Sequence, residues 1–180
     1  MIDQKFNIIS FEEVTSTSEK AKELAMGGAE PWTVVVAERQ SSGHGRKGEE
    51  WFSPKGGLYF SVILPKSSID DLQTLTILAA FSVAKVIKES FDVEPLIKLP
   101  NDVLLNGKKV CGILTENVIG TEVKSSVIGI GLDTNIDSFD SNLSGIATSL
   151  KMELGHEIDN KDILEKILIS LKSQLKTISE

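Results

Sequence analysis

The sequence predicts an α/β (α+β) domain in which largely antiparallel strands are flanked by helices, and three stretches carry that reading. Thr33–Gln40 and Leu58–Leu64 are strand-like runs joined by a glycine-rich loop, so the chain passes from strand to strand with no helix between. Val103–Leu105 and Val110–Leu114 flank Asn106-Gly107, a residue pair suited to a type I′ hairpin turn. Asp70–Phe91 sets Leu72, Leu75, Leu78, Ala79, Val83, Val86 and Ile87 at helical spacing, giving the main helix that packs on the sheet.

Taken in order, Asn7–Phe11 alternates and predicts a first strand. Ser16, Thr17 and Ser18 then offer three good N-cap side chains for a helix to about Met26, where Gly27-Gly28 stops it. Capping uses one hydroxyl, which leaves others free to meet a ligand at the positive end of the helix dipole. Thr33–Ala37 is a buried strand, and Leu58–Leu64 is closed by Pro65. In Pro95–Asp102, Pro100 stops regular structure and Asn101-Asp102 favour a turn. On spacing alone Lys98 reads as a lysine on the solvent face of a strand, with a place in a site as the alternative. Cys111 reads as a small buried apolar residue rather than a nucleophile. Val127–Leu132 is another buried strand, and Gly129 and Gly131 allow close approach. Asp133–Ser144 is a polar loop, Thr148–Leu154 a short helix ended by Gly155, and His156 a surface residue. Asp159 or Asn160 caps a last helix with Ile163, Leu164, Ile167, Leu168, Leu171 and Leu175 on one stripe.

The chain has 180 residues, 41% of them hydrophobic and 25% charged, enough for one domain, 1–180, with a sizeable core. A net charge of −7 argues against a general nucleic-acid binder. One cysteine excludes an internal disulfide framework and suits a cytoplasmic setting. The start, Met1–Lys5, is polar and does not read as a signal peptide, and no stretch reaches the ~18 apolar residues of a membrane span.

Against the acidic background, Ser41–Pro54 (SSGHGRKGEEWFSP) stands out. Gly43, Gly45 and Gly48 free the backbone, while His44, Arg46 and Lys47 supply donors and charge for an anion. Trp51 and Phe52 offer an apolar cover. A mobile cationic loop closing on a phosphate-bearing ligand and a solvated basic surface loop both fit these residues. Gly43–Gly48 has the G-x-G-x-x-G spacing, but Pro54 and another strand follow it instead of a helix, which argues against a dinucleotide fold. No VAIK, HRD or DFG sequence supports a kinase.

Read together, the motifs resemble those of the biotin protein ligases. GHGRKGEEWFSP is similar to that family's GRGRxGRxWxSP, and KLPND (Lys98–Asp102) to its KWPND. KKVCGILTE (Lys108–Glu116) resembles RKxxGILxE, VIGIGLDTN (Val127–Asn135) resembles xIGxGxNxN, STS (Ser16–Ser18) resembles STN, and ATSLKMELG (Ala147–Gly155) resembles ATSLxxxxG. The matches come in the family's order and span nearly the whole chain. The resemblance implies a mixed sheet of the class II synthetase-like biotin/lipoate ligase fold. It also implies ATP-dependent biotinylation of a lysine on a biotin carboxyl carrier domain through biotinyl-5′-AMP, with Mg²⁺ carried by ATP. By the same resemblance Lys98 and Arg46 are the catalytic cations. Biotin lies among Ser16, Thr17, Ser18, Gln40, Gly43, His44, Gly45, Arg46, Lys98, Gly112 and Leu114. The nucleotide lies among Arg46, Lys47, Trp51, Asn101, Asp102, Gly131, Asp133 and Asn135.

The resemblance allows a homodimer. It implies neither a DNA-binding domain before the ligase domain nor, in this chain, the family's usual β-barrel domain after it. Four departures stand out: His44 for the first Arg of GRGR, Ser18 for Asn in STN, Leu99 for Trp in KWPND, and Asp133 for the first Asn of GxNxN. A carboxylate at Asp133 either repels phosphate or helps hold Mg²⁺. Two related activities, lipoate ligation and octanoyl transfer, fit less well, because the loop is GHGRKG and Cys111 stands where biotin ligases have a small strand residue. A catalytically weak module of this fold that binds biotin or carrier is the alternative from another functional class.

Overall fold

The computed structural model describes residues 6–65, 71–121 and 123–179. Its elements are β1 (Asn7–Val14), α1 (Thr17–Met26), β2 (Thr33–Gln40), β3 (Leu58–Leu64), α2 (Leu72–Phe91), β4 (Leu96–Lys98), β5 (Asp102–Leu105), β6 (Lys108–Ile119), β7 (Val123–Leu132), α3 (Leu150–Leu154) and α4 (Asn160–Ser179). The seven strands form one sheet in the order β1-β2-β3-β7-β6-β5-β4. Only β1 and β2 run parallel, and α1 supplies the crossover that a parallel pair needs; the other neighbours are antiparallel. The sheet is therefore mixed and largely antiparallel, as the sequence implies.

Local chemistry sets the element ends. Ser16 caps α1, its side chain accepting from the Glu19 N–H, and Gly28 at φ +89° ends the helix. Asp71 caps α2 by accepting from Gln73 and Thr74 N–H, while Asp70, where helical spacing begins in the sequence, lies outside the described residues. Asn106 and Gly107 both take positive φ, 49° and 80°, as a type I′ turn between β5 and β6 requires. β6 and β7 are longer than the sequence suggests and pair as one hairpin from Cys111–Leu132 out to Ile119–Val123.

The two faces of the sheet do different work. Leu58, Phe60, Val62 and Leu64 of β3, with Ile128, Ile130 and Leu132 of β7, pack under α2 and α4, and this forms the main core. Fully burying a Leu, Ile or Phe contributes about 1.5–3 kcal/mol each, so this face carries most of the stability. On the opposite face Ile63, Val35 and Val127 meet Ala21 of α1 and Val118 in a smaller cluster. β3 is buried on both sides, which explains why its sequence is a continuous apolar run rather than an alternation.

The pairing of β5 with β6 is irregular. Leu105 pairs with Lys108 and Leu104 with Lys109, but Val103 pairs with Cys111 and Asp102 with Gly112. Val110 is therefore an extra residue in β6. The resulting bulge turns Lys109 onto the face that Asp102 and Gly112 share, where strict alternation would send it to the other side.

Candidate active site

A cavity of about 250 Å³ opens on the α1 face of the sheet. Its floor is bare main chain. Gly131 of β7 pairs with Gly112 of β6, and Gly129 pairs with Leu114 one row along. The indole of Trp51 folds back onto this strip. A Cβ on Gly131 would stand 2.3 Å from Trp51 Nε1, and one on Gly112 would stand 2.8 Å from Cζ3. Only glycine lets the ring approach so closely. The indole N–H is buried without a hydrogen-bond partner among the described residues, so it is free for a ligand's acceptor.

The inner end of the cavity is neutral and polar. Thr17 and Ser18 do not cap α1; the buried Ser61 hydroxyl donates to Thr17 Oγ1 at 2.8 Å and lies 3.1 Å from Ser18 Oγ. Gln40, at the end of β2, accepts from the Thr17 N–H at 2.8 Å and donates to Ser53 Oγ at 2.9 Å. Gly129 leaves room for Ser18, since a Cβ there would stand 2.3 Å from its hydroxyl.

The outer end is charged, with Arg46, Lys47 and Lys109 set among Asp102, Glu49 and Glu50. Lys109 lies 2.8 Å from Asp102 Oδ1 and 4.9 Å above the Trp51 ring. Arg46, exposed on the glycine loop, donates to Asn101 Oδ1 at 3.4 Å. The loop is bonded across itself. Trp51 N–H donates to Gly43 O at 2.8 Å, Gly45 N–H donates to Glu49 O at 2.7 Å, and His44 bridges to Glu50. Over the cavity, His44 Nε2 stands 3.6 Å from Glu19 of α1 and 4.0 Å from Glu116 of β6. Lys22 binds the same two carboxylates at 2.6 and 3.1 Å. Burial works against the Lys22 ammonium, but its bonds to Glu19 and Glu116 outweigh that and raise its pKa.

The family model described as Biotin/lipoate A/B protein ligase family matches residues 10–133. The chain belongs to that family. It is 38% identical over 175 residues to the bifunctional ligase/repressor BirA of Bacillus subtilis (strain 168), covering 94% of this chain and 54% of BirA. It is 33% identical over 158 residues to the biotin–[acetyl-CoA-carboxylase] ligase of Paracoccus denitrificans, covering 83% of this chain and 65% of the relative. The biotin protein ligase of Aquifex aeolicus in complex with biotin and ATP superposes with a TM-score of 0.88 at 34% identity, over 96% of this chain and 72% of that one. The chain thus spans about half the length of the BirA relatives it matches.

Within this biotin/lipoate ligase fold, the cavity collects all but four of the residues that the resemblance places around biotin and the nucleotide. Gly43 is buried beside the cavity, and a Cβ there would stand 2.6 Å from both Gln40 Nε2 and Ser53 Oγ. Lys98 shares the cavity face, opposite Asp102, but on the edge strand β4, exposed and outside the lining. Asp133 is 4% exposed and outside the lining; burial pushes its carboxyl well above the usual carboxylate range, against a smaller pull from Lys109. Asn135 instead exchanges bonds with the Ile158 backbone and ties the end of β7 to the start of α4. Phe52 does not cover the cavity; its ring lies 6.1 Å from Phe139. Cys111 is fully buried on the main-core face, where burial pushes the thiol up, as suits a structural residue.

The motif reading missed Lys109 and the carboxylates Glu49 and Glu50, all of which line the cavity, as does Gly129, which the sequence marks only for close approach. For Lys109 the signal was hidden by the bulge.

Proposed function

We propose that this chain forms biotinyl-5′-AMP from biotin and MgATP and transfers the biotinyl group to a lysine of a carboxylase biotin carrier domain. The observation that carries this is the polarity gradient of the cavity: neutral hydroxyl and amide groups at one end, a bare glycine floor under Trp51, and charged side chains, Lys109, Arg46 and Lys47 among Asp102, Glu49 and Glu50, at the other. Biotin has the matching gradient, with a neutral ureido head, an apolar chain and a carboxylate. The Aquifex relative holds biotin and ATP on the same fold.

In the first step a biotin carboxylate oxygen attacks the α-phosphorus, the bond to the β-phosphate oxygen breaks, and pyrophosphate leaves with that electron pair. Two anions must approach, so fixed positive charge is required where charge develops. Lys98, opposite Asp102 on the cavity face, carries the role that the resemblance implies, and Lys109, in the cavity lining, is a second cation for it. Lys109 is also held in place. Its ion pair with Asp102 and its seat on Trp51 hold the ammonium ready. Arg46 acts from the loop and shields the mixed anhydride from water. In the second step the carrier's ε-amine attacks the acyl carbon, AMP leaves with the C–O bonding electrons, and the amine loses a proton. Mg²⁺ arrives with ATP and neutralises phosphate charge. Among the described residues the His/acid cluster Glu19–His44–Glu116 has metal-ligand proximity, but Lys22 already pairs with both of its carboxylates.

The net charge of −7 supports a role away from nucleic acid, and the single buried cysteine supports action in the cytoplasm. Among the described residues no helix is long and apolar enough to cross a membrane. The test is incubation with biotin, MgATP and an apo carrier domain, read by mass, alongside pyrophosphate release without carrier. One biotinyl addition on the carrier and biotin-dependent pyrophosphate are expected. Absence of both overturns the reading.

A further inference from the structure

Ser53 does not line the cavity, yet it is 6% exposed and bonded to Gln40, which does. Its position suits one task. The Gln40 amide can sit either way round, and its two orientations offer the cavity opposite patterns of donor and acceptor. The Thr17 N–H can only donate, so at 2.8 Å it demands the amide oxygen. At the other end, Ser53 gives its one proton to the Trp51 carbonyl, which can only accept, at 2.8 Å. Ser53 Oγ is therefore left as an acceptor and demands the amide nitrogen, 2.9 Å away. Gly43 closes the joint, since a Cβ on it would stand 2.6 Å from both Gln40 Nε2 and Ser53 Oγ.

With both ends committed, the amide presents one remaining N–H and one remaining lone pair in a fixed order. A cyclic urea carries a carbonyl beside an N–H and needs that order. A cyclic guanidinium carries donors in both places and gains nothing from it. We infer that Ser53 is a positioning residue that fixes the donor–acceptor order of Gln40 and thereby selects a cyclic urea as the ring recognised at the inner end of the cavity. The same hydroxyl ties the Trp51 carbonyl, so the ring-recognition end and the indole over the floor share one anchor.

This inference rests on the biotin reading, and its test separates the two. Binding of biotin and of 2-iminobiotin, in its guanidinium form, is measured by calorimetry for wild type, Ser53→Ala, Gln40→Ala and the double variant, together with KM and kcat for pyrophosphate release. Ser53→Ala is expected to weaken biotin about tenfold, as loss of one buried hydrogen bond does. The loss should appear in KM with kcat kept, and the preference for biotin over 2-iminobiotin should fall by a similar factor. In the Gln40→Ala background the same change should cost nothing further, which a purely structural role of Ser53 does not predict. If Ser53→Ala fails to fold, Ser53→Cys, similar in size and a weak acceptor, carries the same cycle. Wild type that binds no biotin overturns the functional reading and this inference together. Wild type that binds biotin, with a Ser53 effect that is absent or undiminished without Gln40, overturns this inference alone.

Discussion

Two lysines, eleven positions apart, divide what the sequence and the structure say about the site. Lys98 is conspicuous in the chain because it opens KLPND; Lys109 is inconspicuous inside KKVCGIL. In the fold Lys109 lies in the cavity and Lys98 at the exposed sheet edge. Lys109→Ala should reduce biotin-dependent pyrophosphate release by ~10²–10³, the usual cost of removing a donor aimed at transition-state charge, while biotin still binds. Lys98→Ala should lower it by a comparable factor, since Lys98 stands opposite Asp102 on the cavity face. Steady-state assays of the two variants decide the matter, and full activity in either would remove that lysine from the chemical step. The reason Lys109 was not legible is physical. Whether a strand side chain faces one side or the other is a parity, and one extra residue, Val110, inverts it. Ser53 and Ser61 were hidden for another reason: each matters through a bond to a residue 13 or 44 positions away, Gln40 or Thr17. No local pattern records such pairs.

At the scale of elements, the glycine loop is held by α1 and β6 together through His44, Glu19, Glu116 and Lys22. His44→Ala removes one side of that clasp, so biotinyl-AMP should leave the variant about two- to fivefold faster than the wild type, a factor in keeping with a partly exposed polar contact. Dissociation rates of the adenylate from the two proteins provide the check; equal rates would remove His44 from the clasp. The elements themselves were largely readable. Helical spacing located α2 and α4, the Asn106-Gly107 turn located the β5–β6 hairpin, and Gly155 ended α3 at φ +78°. The family resemblance implied a mixed sheet but did not say that β1 and β2 are its parallel pair, because strand direction in a sheet leaves no local periodic trace.

For the molecule as a whole, the division between a stability face and a site face meets at Asp133, on the loop that leaves β7. Its carboxyl is buried and its pKa is raised well above 3.8. The folded protein therefore keeps a proton that the unfolded chain releases. A raised carboxyl pKa contributes stability that is fully present below the unfolded value and is lost as pH climbs toward the folded one. Asp133→Asn removes that loss, so the variant should gain on the wild type as pH rises from 4.5 to 8. Urea midpoints of the two proteins across that range measure it. A gap that does not change with pH would mean that Asp133 is ionised in the fold.

The glycine floor has a consequence for how the protein tolerates change. Gly112, Gly129 and Gly131 form a surface of main chain, and main chain cannot be made lower by any substitution. Every replacement adds at least a Cβ, and at each of the three that first carbon already displaces Trp51 or Ser18. Alanine should fare little better than leucine there, so a saturation scan would record a step instead of the graded profile seen where side chains compete by size. Variation in what the cavity accepts must then come from its walls: the hydroxyls of α1, the amide at the end of β2 and the charges of the loop. The floor supplies depth, and nothing about it can be adjusted.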